Sequence, residues 1–156
     1  NLEHTPGGSS SGSAAAVADF MVPLAFGTQT GGSTIRPAAY CGIVGYKPSF
    51  GTISSAGLKA LAESLDTIGV MARTVEDCAL LVHAVSGRPL PDLQAGAMRA
   101  PAIGLCRTPR WHEAKPETQK ALETAAVALA KRGARVRATL TLRDDGGQLC
   151  RRSFNL

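Results

Sequence analysis

The feature that most constrains this chain is an apolar run, Val22-Pro23-Leu24-Ala25-Phe26, that passes without a polar break into Gly27-Thr28-Gln29-Thr30-Gly31-Gly32-Ser33. A run of this kind reads as a strand covered on both faces, with Pro23 confined to its start, so it needs packed layers on either side of a sheet. Two adjacent glycines then let backbone amides turn inward immediately before a hydroxyl. Consecutive N–H groups of Thr30, Gly31, Gly32 and Ser33 can converge on a carbonyl oxygen as it gains charge, while the Ser33 hydroxyl attacks the carbon. The same residues also suit a plain glycine-rich turn, and this stretch alone does not separate the two readings.

A second cluster lies upstream, Pro6-Gly7-Gly8-Ser9-Ser10-Ser11-Gly12-Ser13, with Ser9 twenty-four positions before Ser33. Gly/Ser runs are ordinarily linkers, but this one passes directly into an alanine-rich helix, expected from about Ser11 to Phe20, and then into the apolar run. After Ser33, Pro37 sits at the first turn of a short helix that runs to Gly42. Ile43 to Tyr46 reads as a short strand closed by Lys47-Pro48.

The two serine clusters, their spacing and the block Ala38-Ala39-Tyr40-Cys41-Gly42-Ile43-Val44-Gly45-Tyr46-Lys47-Pro48-Ser49 closely resemble the amidase signature family of serine hydrolases, from about Thr5 to Arg73. The resemblance implies an α/β fold, a mixed β-sheet covered by helices, with residues 1–156 forming part of a single amidase domain. Within it lie a catalytic core at about 5–73, a helix and βαβ segment at about 74–142, and an irregular tail at 143–156. It also implies a Ser-Ser-Lys triad. Ser33 takes the position of the nucleophile, Ser9 that of the serine after a cis peptide bond, Gly8–Ser9, and Thr30, Gly31, Gly32 and Ser33 that of the oxyanion-hole loop. The family's lysine precedes both serines, so the resemblance puts it upstream of Asn1 and the chain reads as a fragment, inactive alone. Lys47 belongs to a different block and is expected to be structural.

The implied activity is hydrolysis of a carboxylic amide through an acyl-enzyme, with a small-molecule amide as substrate and no cofactor or metal. The alternatives are the A subunit of a tRNA-dependent glutamyl/aspartyl amidotransferase and an inactive truncated pseudo-enzyme. Val70 stands where proline is usual, and two further departures from the common pattern bear on this choice: Gln29 replaces a carboxylate, and Ser33-Thr34-Ile35-Arg36 carries its arginine one place later than Ser-Ile-Arg. They favour a stand-alone amidase and leave open what the loop's supporting contacts are. The G-x-S-x-G pattern in Gly8-Ser9-Ser10-Ser11-Gly12 is a weaker basis for catalysis, because a nucleophile elbow needs a strand before it and His4-Thr5-Pro6-Gly7 reads as a turn.

Phe50 to Gly69 reads as a loop-rich connection in which Asp66 could order the wall of the serine site but is expected to be a turn former bonded to nearby backbone. Thr74-Val75-Glu76-Asp77 opens a helix with Cys78, Leu81, Val82 and Val85 at helical spacing and Gly87 at its end; His83 on that helix reads as a packing or surface residue. Arg88 to Pro101 reads as a surface connection. Ala102 to Cys106 reads as a strand, Pro116 to Lys131 as a helix stopped by Gly133, and Val136 to Leu142 as an alternating strand, which together predict a parallel βαβ unit. From Arg143 no periodicity remains.

Composition excludes several classes. The net charge of +5 is uneven, −2 over residues 1–98 and +7 over 99–156, but the tail's basic residues are scattered and only Trp111 and Phe154 accompany them. That reads as a solvated basic face, with nucleic acid not expected as a partner. Cys41, Cys78, Cys106 and Cys150 lie far apart, with no histidine at ligand spacing. This argues against a metal site and for reduced thiols in a cytoplasm. No apolar run approaches the roughly 20 residues that span a bilayer. A homo-oligomer is compatible with everything above.

Overall fold

The computed structural model describes residues 1–93, 100–107 and 111–141, the side chains of 138–141 excepted. Contacts divide the chain into two units, residues 1–94 and 95–156.

In the first unit, α1 (Ser11–Ala18) leads to β1 (Leu24–Gln29), α2 (Ile35–Cys41), β2 (Val44–Tyr46), β3 (Thr67–Ala72) and α3 (Val75–Ser86). The strands form one antiparallel sheet in the order β1-β3-β2. The central strand, β3, is the one that the sequence pattern conceals: Thr67-Ile68-Gly69 reads as loop in the sequence, yet it begins the best-buried strand of the unit. The glycine that suggests a loop is a packing requirement. A Cβ on Gly69 would lie 2.7 Å from Thr34 Cγ2 and 3.0 Å from the Tyr46 carbonyl oxygen. The first strand is also displaced from its expected span. It starts after Pro23 and continues through Gln29, because Gly27, Thr28 and Gln29 pair with Gly69, Ile68 and Thr67.

Two apolar clusters hold this sheet. Met71 packs with Ala14 and Val17 of α1, while Val70, Ala72, Ile53 and Cys78 form the other. Val70 and Met71 alternate in direction along β3, so one strand feeds both clusters. Thr74 caps α3, its hydroxyl accepting from Asp77 N–H at 3.1 Å, and Gly87 closes the helix in the left-handed region at φ 67°.

The second unit contains β4 (Ala102–Arg107), a short 3₁₀ turn (Trp111–Glu113), α4 (Pro116–Lys131) and β5 (Arg135–Thr141). Strands β4 and β5 pair in parallel across α4, as the strand-helix-strand pattern predicts. Leu142 and the irregular tail lie outside the described residues. Among the described residues, no helix is long and apolar enough to cross a membrane.

Candidate functional site

Strand β1 delivers the chain to Thr30, and α2 takes it up again at Ile35, so residues 30–33 form a short bridge between two fixed elements. Gln29 fixes both ends. Its side chain is 7% exposed, and its Oε1 accepts from Thr34 N–H and Ile35 N–H, each at 3.0 Å. These are two of the donors that a helix N-terminus leaves without intrahelical partners. The amide in place of a carboxylate therefore performs the cap, and Thr34 supplies no side-chain cap of its own. Ser33 is half-buried immediately before this helix.

The first serine cluster lies against the bridge. Ser10 N–H donates to the Ser33 carbonyl at 3.2 Å. The Gly8–Ser9 peptide is cis, at the bond where the resemblance puts one. Arg36 donates to the Gly8 carbonyl from Nε and Nη2. Its one-place shift along the sequence thus leaves it able to hold the loop that carries Ser9. Ser10 is spent on the outer edge of β1: its Oγ accepts from Thr28 N–H at 3.2 Å and donates to the Thr28 carbonyl at 3.4 Å. Gly27 must be glycine for this to happen, since a Cβ there would meet Ser10 Oγ at 2.9 Å.

Among the described residues, no carbonyl accepts from the backbone N–H groups of Gly31, Gly32 or Ser33. Thr30 is tied through its side chain, which donates to Asp66 Oδ1. Asp66 Oδ2 accepts from Leu61 N–H at 2.6 Å and Ala62 N–H at 2.9 Å. The Thr30 hydroxyl, with Ala62 and Leu61 N–H behind it, holds the Asp66 carboxyl below the usual carboxylate range. Asp66 is thus the turn former expected, and it also reaches the serine loop, a contact that sequence spacing could not reveal.

Lys47 and His83 are engaged locally. Lys47 Nζ donates to the Pro48 carbonyl at 2.8 Å, a local contact within its own loop. His83 Nδ1 meets the Arg88 carbonyl beyond the end of α3. An open cleft of about 540 Å³ adjoins the first cluster through Ser10 and Ser13, with Phe26, Thr28, Ile53 and Leu58 in its wall, but neither Ser9 nor Ser33 lines it. Among the described residues no group of three or more His, Cys, Asp or Glu side chains is gathered as a metal site.

The arrangement brings the Ser33 hydroxyl, a second hydroxyl-bearing loop and backbone N–H groups that no described carbonyl takes to one place, three of the parts that acyl transfer from an amide uses. Comparisons with known proteins bear on the family. The family model described as Amidase matches residues 1–143. The A subunit of the glutamyl-tRNA(Gln) amidotransferase of Roseiflexus sp. (strain RS-1) is 46% identical over 150 residues, covering 88% of this chain and 31% of the relative. The solved structure of the corresponding protein from Thermotoga maritima is 37% identical with a TM-score of 0.77, over 90% of this chain and 34% of that one. The native peptide amidase of Stenotrophomonas maltophilia is 36% identical with a TM-score of 0.75, over 89% and 32%. The chain spans about a third of the length of such relatives, which are enzymes acting on amide C–N bonds. On the strength of the family model and of these structural likenesses, the chain belongs to the amidase family.

Proposed function

We propose that this chain carries the nucleophile and the proton relay of an amidase that cleaves a small carboxylic amide through a serine acyl-enzyme. The observation that carries the reading is the meeting of Ser33, beside the Gly31 and Gly32 N–H groups that no carbonyl among the described residues takes, with the loop of Ser9, tied to it through Ser10 N–H and Arg36. Ser33 Oγ forms the new bond to the carbonyl carbon, and its proton passes to Ser9. In turn Ser9 gives its own proton to a lysine that the family resemblance assigns upstream of Asn1. Backbone N–H groups of residues 30–33 receive the oxyanion. The C–N bond then breaks, ammonia or an amine leaves with a proton returned through Ser9, and water hydrolyses the ester. No metal or organic cofactor enters these steps. We take the enzyme to be cytoplasmic, and residues 1–156 to form part of one amidase domain.

A second reading has its own support in the 46% identity to the amidotransferase component over most of this chain. Under that reading ammonia is passed to a tRNA-linked acceptor inside a complex. Ammonia release by the full-length gene product alone supports the stand-alone amidase, whereas release only with co-purifying proteins supports the amidotransferase.

The decisive test for either is Ser33→Ala in the full-length gene product. It should abolish hydrolysis and labelling by an alkyl fluorophosphonate without lowering the melting temperature, and Ser9→Ala should cut both severely. Near-normal turnover of Ser33→Ala would remove the nucleophile from the proposal.

A further inference from the structure

The last pair of the β1–β3 ladder is Gln29 with Thr67. One step beyond it the chains separate, β1 into the serine loop and β3 back into the turn at Ala62 to Asp66. The residues of that next step are Thr30 and Asp66, and they are joined by side chains: the Thr30 hydroxyl donates to Asp66 Oδ1. The other carboxylate oxygen is held by Leu61 and Ala62 N–H, so Asp66 cannot follow Thr30 if the loop shifts. We propose that Asp66 is a positioning residue for amide cleavage, fixing Thr30 and through it the oxyanion-receiving backbone of residues 30–33. This rests on the serine-amidase reading above.

Asp66 pre-organises the near end of the bridge. Gln29 secures the far end of the bridge through Thr34 and Ile35 N–H, and the Gly32 and Ser33 carbonyls accept from Arg36 and Ser10 N–H, but the near end, Thr30 and Gly31, has no such backbone bond among the described residues. Glycines make the N–H groups accessible and at the same time leave the backbone free to rotate. An additional anchor at the first of the four residues removes much of that freedom before any substrate arrives. A hydrogen bond to an anion is stronger and shorter than one between neutral groups, and three donors keep this carboxyl ionised at neutral pH. The carboxylate takes the Thr30 hydroxyl and not the Thr30 N–H, so the backbone donor is left for the oxyanion.

The experiment measures the second-order rate of Ser33 labelling by an alkyl fluorophosphonate in the full-length gene product, because the phosphonyl oxygen needs the same donors as the oxyanion. A misplacement on the order of 1 Å can cost about 100-fold in rate, so Asp66→Asn and Thr30→Val should each slow labelling by about 10- to 100-fold. Because Thr30 is reached only through Asp66, whose carboxamide variant also disturbs the Leu61 and Ala62 bonds, the double variant should be no slower than Asp66→Asn alone. Thr30→Ser, which keeps the hydroxyl, should recover most of the rate that Thr30→Val loses. Rates within twofold of the parent for Thr30→Val, or multiplicative effects in the double variant, overturn the proposal. Should Asp66→Asn fail to fold, Thr30→Val and Thr30→Ser alone decide it, since they leave the Leu61 and Ala62 bonds in place. Ser33→Ala, measured alongside, separates the two levels. Labelling that persists in Ser33→Ala refutes the serine-amidase reading itself, whereas loss of labelling there with full rates in Thr30→Val refutes only the role of Asp66.

Discussion

Arg36 donates two hydrogen bonds to a single acceptor, the carbonyl of Gly8, from Nε at 3.0 Å and from Nη2 at 2.8 Å. The guanidinium fork thereby joins the first turn of α2 to the peptide that precedes Ser9. Two hydrogen bonds from one planar group fix direction as well as distance, which a lysine ammonium on a flexible stem does not reproduce.

Arg36→Lys should therefore lower kcat of the full-length gene product by roughly 10- to 100-fold, the range expected when a reacting group is displaced by about an ångström. The melting temperature should change little, because Arg36 is an exposed residue. Steady-state ammonia release and a thermal melt check the two statements together. An unchanged kcat would show that the Ser9 loop holds its position without the arginine.

Thr34 is fully buried, and its Oγ1 has no hydrogen-bond partner among the described residues. The donors that a threonine at this position normally caps are missing, because Arg36 N–H goes to the Gly32 carbonyl and Pro37 has no N–H. Leaving a buried hydroxyl unsatisfied costs about 1–3 kcal/mol. Thr34→Val replaces that oxygen by a methyl group and should raise the unfolding free energy by about 1 kcal/mol. Gly69→Ala forces a Cβ to 2.7 Å from Thr34 Cγ2 and should lower it by about 1–3 kcal/mol. Urea denaturation of both variants provides the comparison. A less stable Thr34→Val would mean that the hydroxyl is satisfied after all.

These residues also explain what the sequence could and could not disclose. Helix α4 was readable to its ends because Pro116, the apolar spacing and Gly133 are all local signals. Thr74 and Gly87 mark α3 in the same way. Strand β3 was not readable, because Gly69 is explained only by Thr34 and Tyr46, which are distant in sequence. The serine loop was legible as a motif, but its supports were not. Gln29 bonds across five and six positions, Arg36 across twenty-eight and Thr30 across thirty-six. No periodicity records such distances, and the substitution of Gln29 for a carboxylate gained a meaning only when its two N–H partners were found.

Cys78 is 2% exposed, and burial, reinforced by the nearby Asp77 charge, pushes its thiol up to about 11 from 9.0, against a smaller lowering by Ala72 N–H. A group whose folded pKa is raised contributes stability that is complete below its unfolded pKa and is lost as pH rises through the folded one. The stabilising contribution of Cys78 should thus be intact below about pH 9 and vanish towards pH 11. Stability measured across that window should fall less steeply in Cys78→Ala than in the parent. At pH 8, iodoacetamide should modify Cys41, which is half-buried, well before Cys78. Equal alkylation rates in the native protein would contradict the assigned burial.

The last prediction concerns residues 102–141, in which β4, α4 and β5 form a parallel βαβ unit. Among the described side chains of this unit none is buried: Leu122, Val127 and Leu129 of α4 are 43%, 55% and 39% exposed. A parallel pair is normally covered on both faces, and a single helix can cover only one. The unit therefore lacks the buried apolar area that would offset the conformational entropy of ordering about 40 residues. We predict that it has no independent fold. A peptide of residues 102–141 should give the circular dichroism of a largely disordered chain with some helix, and unfold without a cooperative transition. Limited proteolysis of the full-length gene product should not release the segment as an early, resistant product. A cooperative melt of the peptide, or its early excision intact, would assign these residues to a separate domain.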